Sequence, residues 1–158
     1  MDVSGAVQWA TRLAAPQHRV AALEELARMA RAEHALLLVG DDDGQVMLPA
    51  PGLRQTLPRG SRWRHLLHRL WAGGTVEDEV EALHGMGRQA VLAHSQDGVA
   101  LVLVGGEPGA AILDGLRPLW PMLGQLLACE QRARAAVGEL RSARSEMRQY
   151  AAQAQVLD

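Results

Sequence analysis

Arg88-Gln89-Ala90-Val91-Leu92-Ala93-His94-Ser95-Gln96-Asp97-Gly98-Val99-Ala100-Leu101-Val102-Leu103-Val104 is the stretch that decides the fold. Arg88 to Ser95 alternates, and Val99 to Val104 is an unbroken apolar run. Gln96-Asp97-Gly98 between them is a tight turn, so the stretch reads as two antiparallel strands of a hairpin. An all-apolar second strand implies a position covered on both faces.

Working outward, Gly105-Gly106-Glu107-Pro108-Gly109 leads into a long helix with a kink or break expected near Leu119–Pro121, because Pro121 lacks a backbone N–H. From Leu116 onward that helix can be counted in heptads. Leu116, Leu123, Glu130, Val137, Arg144 and Ala151 fall at one seam position. Leu119, Leu126, Ala133, Leu140, Met147 and Ala154 fall at the other. Its first half is apolar enough to pack on a core. Its second half is Ala- and Arg-rich and keeps the period of a two-stranded coiled coil, so Leu116, Leu119, Leu123, Leu126, Val137, Leu140 and Met147 are the candidate dimer and signalling residues.

Upstream, residues 2–14 form a short helix with Val3, Val7, Ala6, Ala10 and Leu13 on one side. Pro16 opens a second helix, over 17–33, whose apolar positions are Val20, Leu23, Leu26, Ala27 and Ala30. His34 closes it, and Ala35-Leu36-Leu37-Leu38-Val39 is a buried central strand. Asp41-Asp42-Asp43-Gly44 is a hairpin turn leading to a short strand over Gln45–Ala50. Ser61 caps a helix in which Trp63, Leu66, Leu67, Leu70 and Trp71 share a face, and Gly73-Gly74 ends it. Thr75 to Met86 has two readings: an edge strand with Val76 and Val80 inward, or a short helix through Leu83 opened by a Thr75/Asp78 capping box. Hairpins bracketed by helices make the class α+β: an antiparallel sheet of about five strands with flanking helices and a long C-terminal helix.

Composition bounds the function. The 158 residues carry 16 cationic and 18 anionic side chains, a net charge of −2, which excludes an overall basic field for nucleic acid or anionic lipid. No apolar run is long enough to span a bilayer, and Met1 to Gly5 lacks the start of a signal peptide. One cysteine, Cys129, excludes an internal disulfide and any CxxC pair. The expectation is a soluble, cytoplasmic protein with no membrane partner. With no Phe and four Trp, the core rests on Leu, Val, Ala and Met, and each Trp fills a specific gap.

The order of elements resembles a GAF domain, the sensory module related to PAS domains. The likeness is carried by Ala35–Val39 with its Asp-Gly hairpin, by Ala90–Val104, and by Gly73-Gly74-Thr75-Val76-Glu77-Asp78 in the place of the family's middle strand. It covers residues 17–135, leaving 1–16 as an N-terminal helix and 136–158 as a signalling-helix extension. The resemblance implies helices packed on one side of a twisted sheet, a ligand pocket on the other, and dimerisation through the first and last helices. It also implies output through a histidine kinase, diguanylate cyclase or transcriptional activator, as in two-component bacterial signalling. Trp63, Leu67, Trp71 and Met86 are the candidate pocket residues. The Asn-Lys-Phe-Asp-Glu motif of cyclic-nucleotide-binding members is absent, Cys129 lies outside the bilin-attaching region, and one cysteine cannot run a thiol redox cycle.

No catalytic constellation is legible. His65 and His68 are spaced as metal ligands but fall opposite the apolar face of their helix, while His34, His84 and His94 are scattered. Asp41–Gly44 lacks the spaced ligands of a calcium loop, and Gly105–Gly109 lacks the Lys-Ser/Thr of a phosphate loop. Ser61, Ser95 and Cys129 have no nucleophile context. No cofactor and no metal are expected, and the ligand and output are left open. The expectation is a non-catalytic, homodimeric GAF-like domain that relays ligand or partner binding to an output module. The alternative is a roadblock/profilin-like protein-interaction module without a small-molecule ligand. A helix still running at Asp158 reads as part of a longer signalling protein or as a stand-alone partner.

Overall fold

The computed structural model describes residues 1–41, 45–53 and 56–157. Its elements in chain order are α1 (Val3–Ala14), α2 (Pro16–Met29), β1 (His34–Asp41), β2 (Val46–Pro49), α3 (Ser61–Ala72), β3 (Gly74–Glu81), β4 (Arg88–Gln96), β5 (Val99–Val104), α4 (Ala111–Leu116), a 3₁₀ turn (Arg117–Leu119) and α5 (Trp120–Leu157). The Asp42-Asp43-Gly44 part of the expected first hairpin turn lies outside the described residues.

The β4–β5 hairpin forms as its residues dictate. Gln96 pairs with Val99, leaving Asp97 and Gly98 as a two-residue turn with φ of 54° and 77°. Positive φ at both positions is the turn that matches strand twist, and Asp-Gly supplies it at low cost. All six residues of β5 are buried, because the antiparallel order β2-β1-β5-β4-β3 puts this strand in the middle. Ala35 to Val39 of β1, beside it, are buried too. The α+β class with a five-stranded antiparallel sheet and a long terminal helix is thus observed.

Residues 75–86 resolve as a strand followed by a turn. β3 pairs with β4 along its whole length, Thr75 opposite His94 and Glu81 opposite Arg88, and Val76 and Val80 point inward. Ladder bonds to β4 outweigh a capping box that would open only a short, unpacked helix. As an edge strand it carries Glu77, Asp78 and Glu79, charges that oppose pairing with another sheet.

Alternation sorts the sheet into two covered faces, where the resemblance implied helices on one. Leu36, Leu38, Val91, Ala93, Ala100 and Val102 lie under Trp63, Leu66 and Leu70 of α3. Leu37, Leu92, Leu101 and Leu103 face the other way and are also buried, in the layer of α2, which packs on β1, of α1 on α2, and of α4 on α1. Each fully buried Leu contributes about 2 kcal/mol by leaving water.

Several local expectations shift. In α1 the buried stripe is Ala6, Ala10 and Leu13, spaced four and three apart, while Val3 and Val7 are exposed. Helix α2 stops at Met29 rather than reaching 33, as Arg31 takes φ of 61° and the Ala32 N–H bonds the Ala27 carbonyl at 2.9 Å. Val20 is 48% exposed, and Arg19 occupies the inward slot. The break before the terminal helix falls at Arg117–Leu119, two residues before the expected Leu119–Pro121. Pro118 sits in the 3₁₀ turn and Pro121 in the first turn of α5, where no N–H is needed.

Two compact units result, Met1–Leu126 and Leu127–Asp158. The first includes the helix over 1–16 that was set apart in sequence, and it ends at Leu126 rather than at 135. No helix of the described residues is long and apolar enough to cross a membrane.

Candidate functional site

Helix α3 carries three of the four candidate pocket residues, Trp63, Leu67 and Trp71, and its N-terminus is held in an unexpected way. The expected cap, Ser61, is the first helical residue; the capping position belongs to Gly60, which has no side chain to offer. The acceptor comes instead from β3. The Glu81 carboxylate receives the backbone N–H of Arg62 at 3.1 Å and of Trp63 at 3.2 Å. The Trp63 indole N–H in turn donates to the Glu81 carbonyl at 2.7 Å. A Cβ at Gly60 would overlap the Glu81 carboxyl group, so glycine leaves the carboxylate room to reach the helix.

Burial by itself pushes the Glu81 carboxyl up. The backbone N–H groups of Glu81, Arg62 and Trp63 and the Arg62 charge outweigh it, holding the carboxyl below its ordinary value of 4.5. The unfolded chain therefore binds this proton more readily than the folded one. The stabilisation is present above the ordinary carboxylate value and is lost as pH falls through the folded-state value. Glu81→Gln should cost about 1 kcal/mol at pH 7, the size of a helix cap, and should reduce the acid sensitivity of urea denaturation measured between pH 7 and 3. Gly60→Ala should reproduce that effect, with little further loss in the double variant. Additive losses would disprove the shared origin.

Trp63 is fully buried, and Leu67 and Trp71 are half-buried against the same cluster. Trp71 closes over Gly40, where an added Cβ would come within 3.0 Å of its ring. These three residues fill the layer between α3 and the sheet. Met86 does not join them. It is 100% exposed in the β3–β4 connection, between Gly85 and Gly87 with φ of 80° and 94°, which carry the chain outward.

On the opposite face the start of α5 is keyed to the sheet. The Trp120 indole N–H donates to the Val99 carbonyl at 3.0 Å, and its ring meets the His94 ring edge-on at 4.8 Å between centroids. Thr75 Oγ1 and His94 Nδ1 are 2.9 Å apart, and His94 Nε2 lies 3.2 Å from Gln96 Oε1. The tautomer assigned from this network has the Thr75 hydroxyl donating to Nδ1 and Nε2–H donating to Gln96. Arg117 reaches Thr75 Oγ1 at 3.5 Å. Sequence reasoning passed over Trp120, although a Trp between Pro118 and Pro121 at the start of a helix is an anchor by size alone.

It also passed over Arg19, which is 0% exposed. Its guanidinium donates to the carbonyls of Leu13 at 2.8 Å, Pro51 at 2.6 Å and Ala14 at 3.3 Å, joining the end of α1 to the segment after β2. The signal was available: Arg19 precedes Leu23 by four and Leu26 by seven, and so shares their face.

The remaining sequence candidates are placed individually. His65 and His68 are exposed, and the His34 and His84 rings meet edge-on at 5.4 Å between centroids. Among the described residues no three His, Cys, Asp or Glu side chains gather as metal ligands would. The Ser95 hydroxyl donates to the Leu70 carbonyl at 2.5 Å, a structural role. In the glycine-rich loop, the N–H groups of Gly105, Glu107 and Gly109 bond the carbonyls of Ala90, Arg31 and Ala30 at 2.8, 3.1 and 3.0 Å, and so are committed to the fold rather than open to a phosphate. Cys129 is exposed, with Arg132 donating to its sulfur at 3.1 Å.

Two open hollows accompany these residues. One of about 330 Å³ lies between α2 and β1, bordered by Leu23, Ala27, Arg28 and His34. Another of about 470 Å³ lies beside β3 and β4, bordered by Glu77, Glu79, Leu92 and Glu107.

Of the candidate dimer residues, Leu116 and Leu123 are buried in the first unit and Leu119 is half-buried. Leu126, Val137, Leu140 and Met147 are between 45% and 70% exposed. Every side chain from Arg132 to Gln155 is exposed. The arrangement defines an α+β domain on a five-stranded antiparallel sheet, with a 38-residue helix that begins on that sheet. Comparison with protein-family models, with curated proteins and with solved structures finds no match for the chain.

Proposed function

We propose that this chain is a non-catalytic regulatory domain of GAF-like type, dimeric through α5, which passes partner or ligand binding on the sheet domain to an output module. The output class implied by the resemblance is a histidine kinase, diguanylate cyclase or transcriptional activator. One observation carries the reading: α5 starts on the central hairpin, through Trp120 to the Val99 carbonyl and the His94 ring, and then continues for many turns fully exposed. A helix is stiff along its axis. Any shift of the β4–β5 hairpin is therefore felt at its first turn and carried along the element. A ligand or partner drives this only through unequal affinity for the two arrangements.

Light scattering at several concentrations tests the proposal. The full chain should have the mass of a dimer, and a chain ending at Ala135 the mass of a monomer. A monomer in both forms rejects it and favours the roadblock/profilin-like interaction module. That second reading has its own support in the filled layer beneath α3, where Trp63, Leu67 and Trp71 occupy the space a ligand would take.

A further inference from the structure

The heptad count started from Leu116 does not run through to the exposed helix. The 3₁₀ turn at Arg117–Leu119 separates Leu116 from α5, and Leu123 is buried in the first unit. The exposed part of α5 can therefore be counted on its own side chains. The earlier count puts two charges, Glu130 and Arg144, on the seam, where burying them is costly. Moving one of its two rows back by a single residue removes both. Ala133, Leu140 and Met147 then alternate with Ala136, Ala143 and Tyr150, an apolar row with no interruption.

The same count sorts the charges. With Ala133, Leu140 and Met147 at the first seam position, Glu139 falls at the flanking position before Leu140, and Arg144 at the flanking position after Ala143. In a parallel, in-register pair of helices these two positions, five residues apart, face each other across the seam. Neither has an opposite charge at helical spacing: no cationic residue lies three or four positions from Glu139, and no acidic residue lies three or four positions from Arg144. Glu130, by contrast, already has Arg134 at 3.6 Å within its helix. Two-fold symmetry forms the Glu139–Arg144 pair twice.

We infer that the partner of this exposed face is a second copy of the chain, bound parallel and in register through the Ala133/Ala136/Leu140/Ala143/Met147/Tyr150 seam, with Glu139 of each helix against Arg144 of the other. The inference rests on the dimeric reading above and adds its geometry. It also puts Cys129, seven residues before Ala136, on the seam opposite its own copy.

Cross-linking of the 158-residue chain with copper phenanthroline is the test; two thiols that join as a disulfide pass two electrons to copper(II) and release two protons. Wild type should form a covalent dimer through Cys129, abolished by Cys129→Ser. In the Cys129→Ser chain, Ala136→Cys and Ala143→Cys should cross-link, and Val137→Cys and Arg144→Cys much more slowly. All four positions are exposed in the single chain, so these variants retain the fold. Glu139→Arg or Arg144→Glu should weaken the dimer about tenfold, as two attractive contacts become repulsive, and the double exchange should restore it. A dimer whose cross-links favour 137 and 144, or one that cross-links at none of Cys129, 136 and 143, overturns the register or the parallel arrangement and leaves the regulatory reading intact. A monomer by light scattering overturns both.

Discussion

Arg19→Ala is expected to destabilise the chain by about 3–5 kcal/mol, the range of a buried charged network that loses one member. Three carbonyl oxygens, those of Leu13, Ala14 and Pro51, lose the guanidinium hydrogen bonds in a site where Arg19 itself is 0% exposed. A buried acceptor left without a donor costs about 1–3 kcal/mol, and the missing arginine stem adds a void. Two of the carbonyls, those of Leu13 and Ala14, end α1, where the helix has no N–H of its own to offer them. Arg19→Met refills much of the volume but supplies no donor, so it should recover only part of the loss. Val20→Ala is the control. Val20 is the residue the apolar pattern placed inward, yet it is 48% exposed, and its truncation should change stability by less than about 0.5 kcal/mol. Urea denaturation at pH 7 measures all three. An Arg19→Ala loss no larger than that of Val20→Ala would refute the role given to this side chain.

Trp63→Ala should be comparably severe, about 3–5 kcal/mol, because it empties the largest space between α3 and the sheet. Trp63 is 0% exposed and belongs to a cluster drawn from all five strands, including Leu36, Met47, Val80, Ala93 and Val102. It also holds the Glu81 carbonyl at 2.7 Å. Trp63→Phe separates these contributions. It keeps most of the ring volume and removes the N–H, so a loss of about 1–2 kcal/mol is expected. If Phe is as damaging as Ala, the hydrogen bond to Glu81 rather than filling of the layer dominates. A denaturation midpoint for Trp63→Ala close to wild type would show that this ring does not hold the layer together.

Much of the fold was legible wherever neighbours in sequence are also neighbours in space. Asp97-Gly98 between an alternating and an apolar run specifies a hairpin, and its turn angles are the ones those residue types accept. The five apolar residues of β1 announce a strand covered on both faces, and Pro121 announces a break close to where α5 begins. Legibility failed where one helix face had to be chosen to within a single residue. Val20 and Arg19 differ by one step around α2, and hydrophobicity favours Val20. The carbonyls of Leu13, Ala14 and Pro51, brought together only in the folded chain, favour Arg19. The long helix shows the same limit. Leu116 and Leu123 keep the heptad spacing of the exposed part, yet both are buried in the core of the first unit.

By itself, the sequence determined the α+β class, the central hairpin and the long terminal helix. Each follows from periodicity and turn chemistry, which act over a few residues. Tertiary structure alone decided that residues 74–81 are an edge strand, since only pairing with β4 separates that reading from a capped helix. It alone decided that Glu81, rather than Ser61, caps α3, and that Trp63 is core while Met86 is exposed. These outcomes depend on contacts between residues far apart in the chain. They are settled by competition for the same buried space and the same backbone donors, which local sequence does not encode.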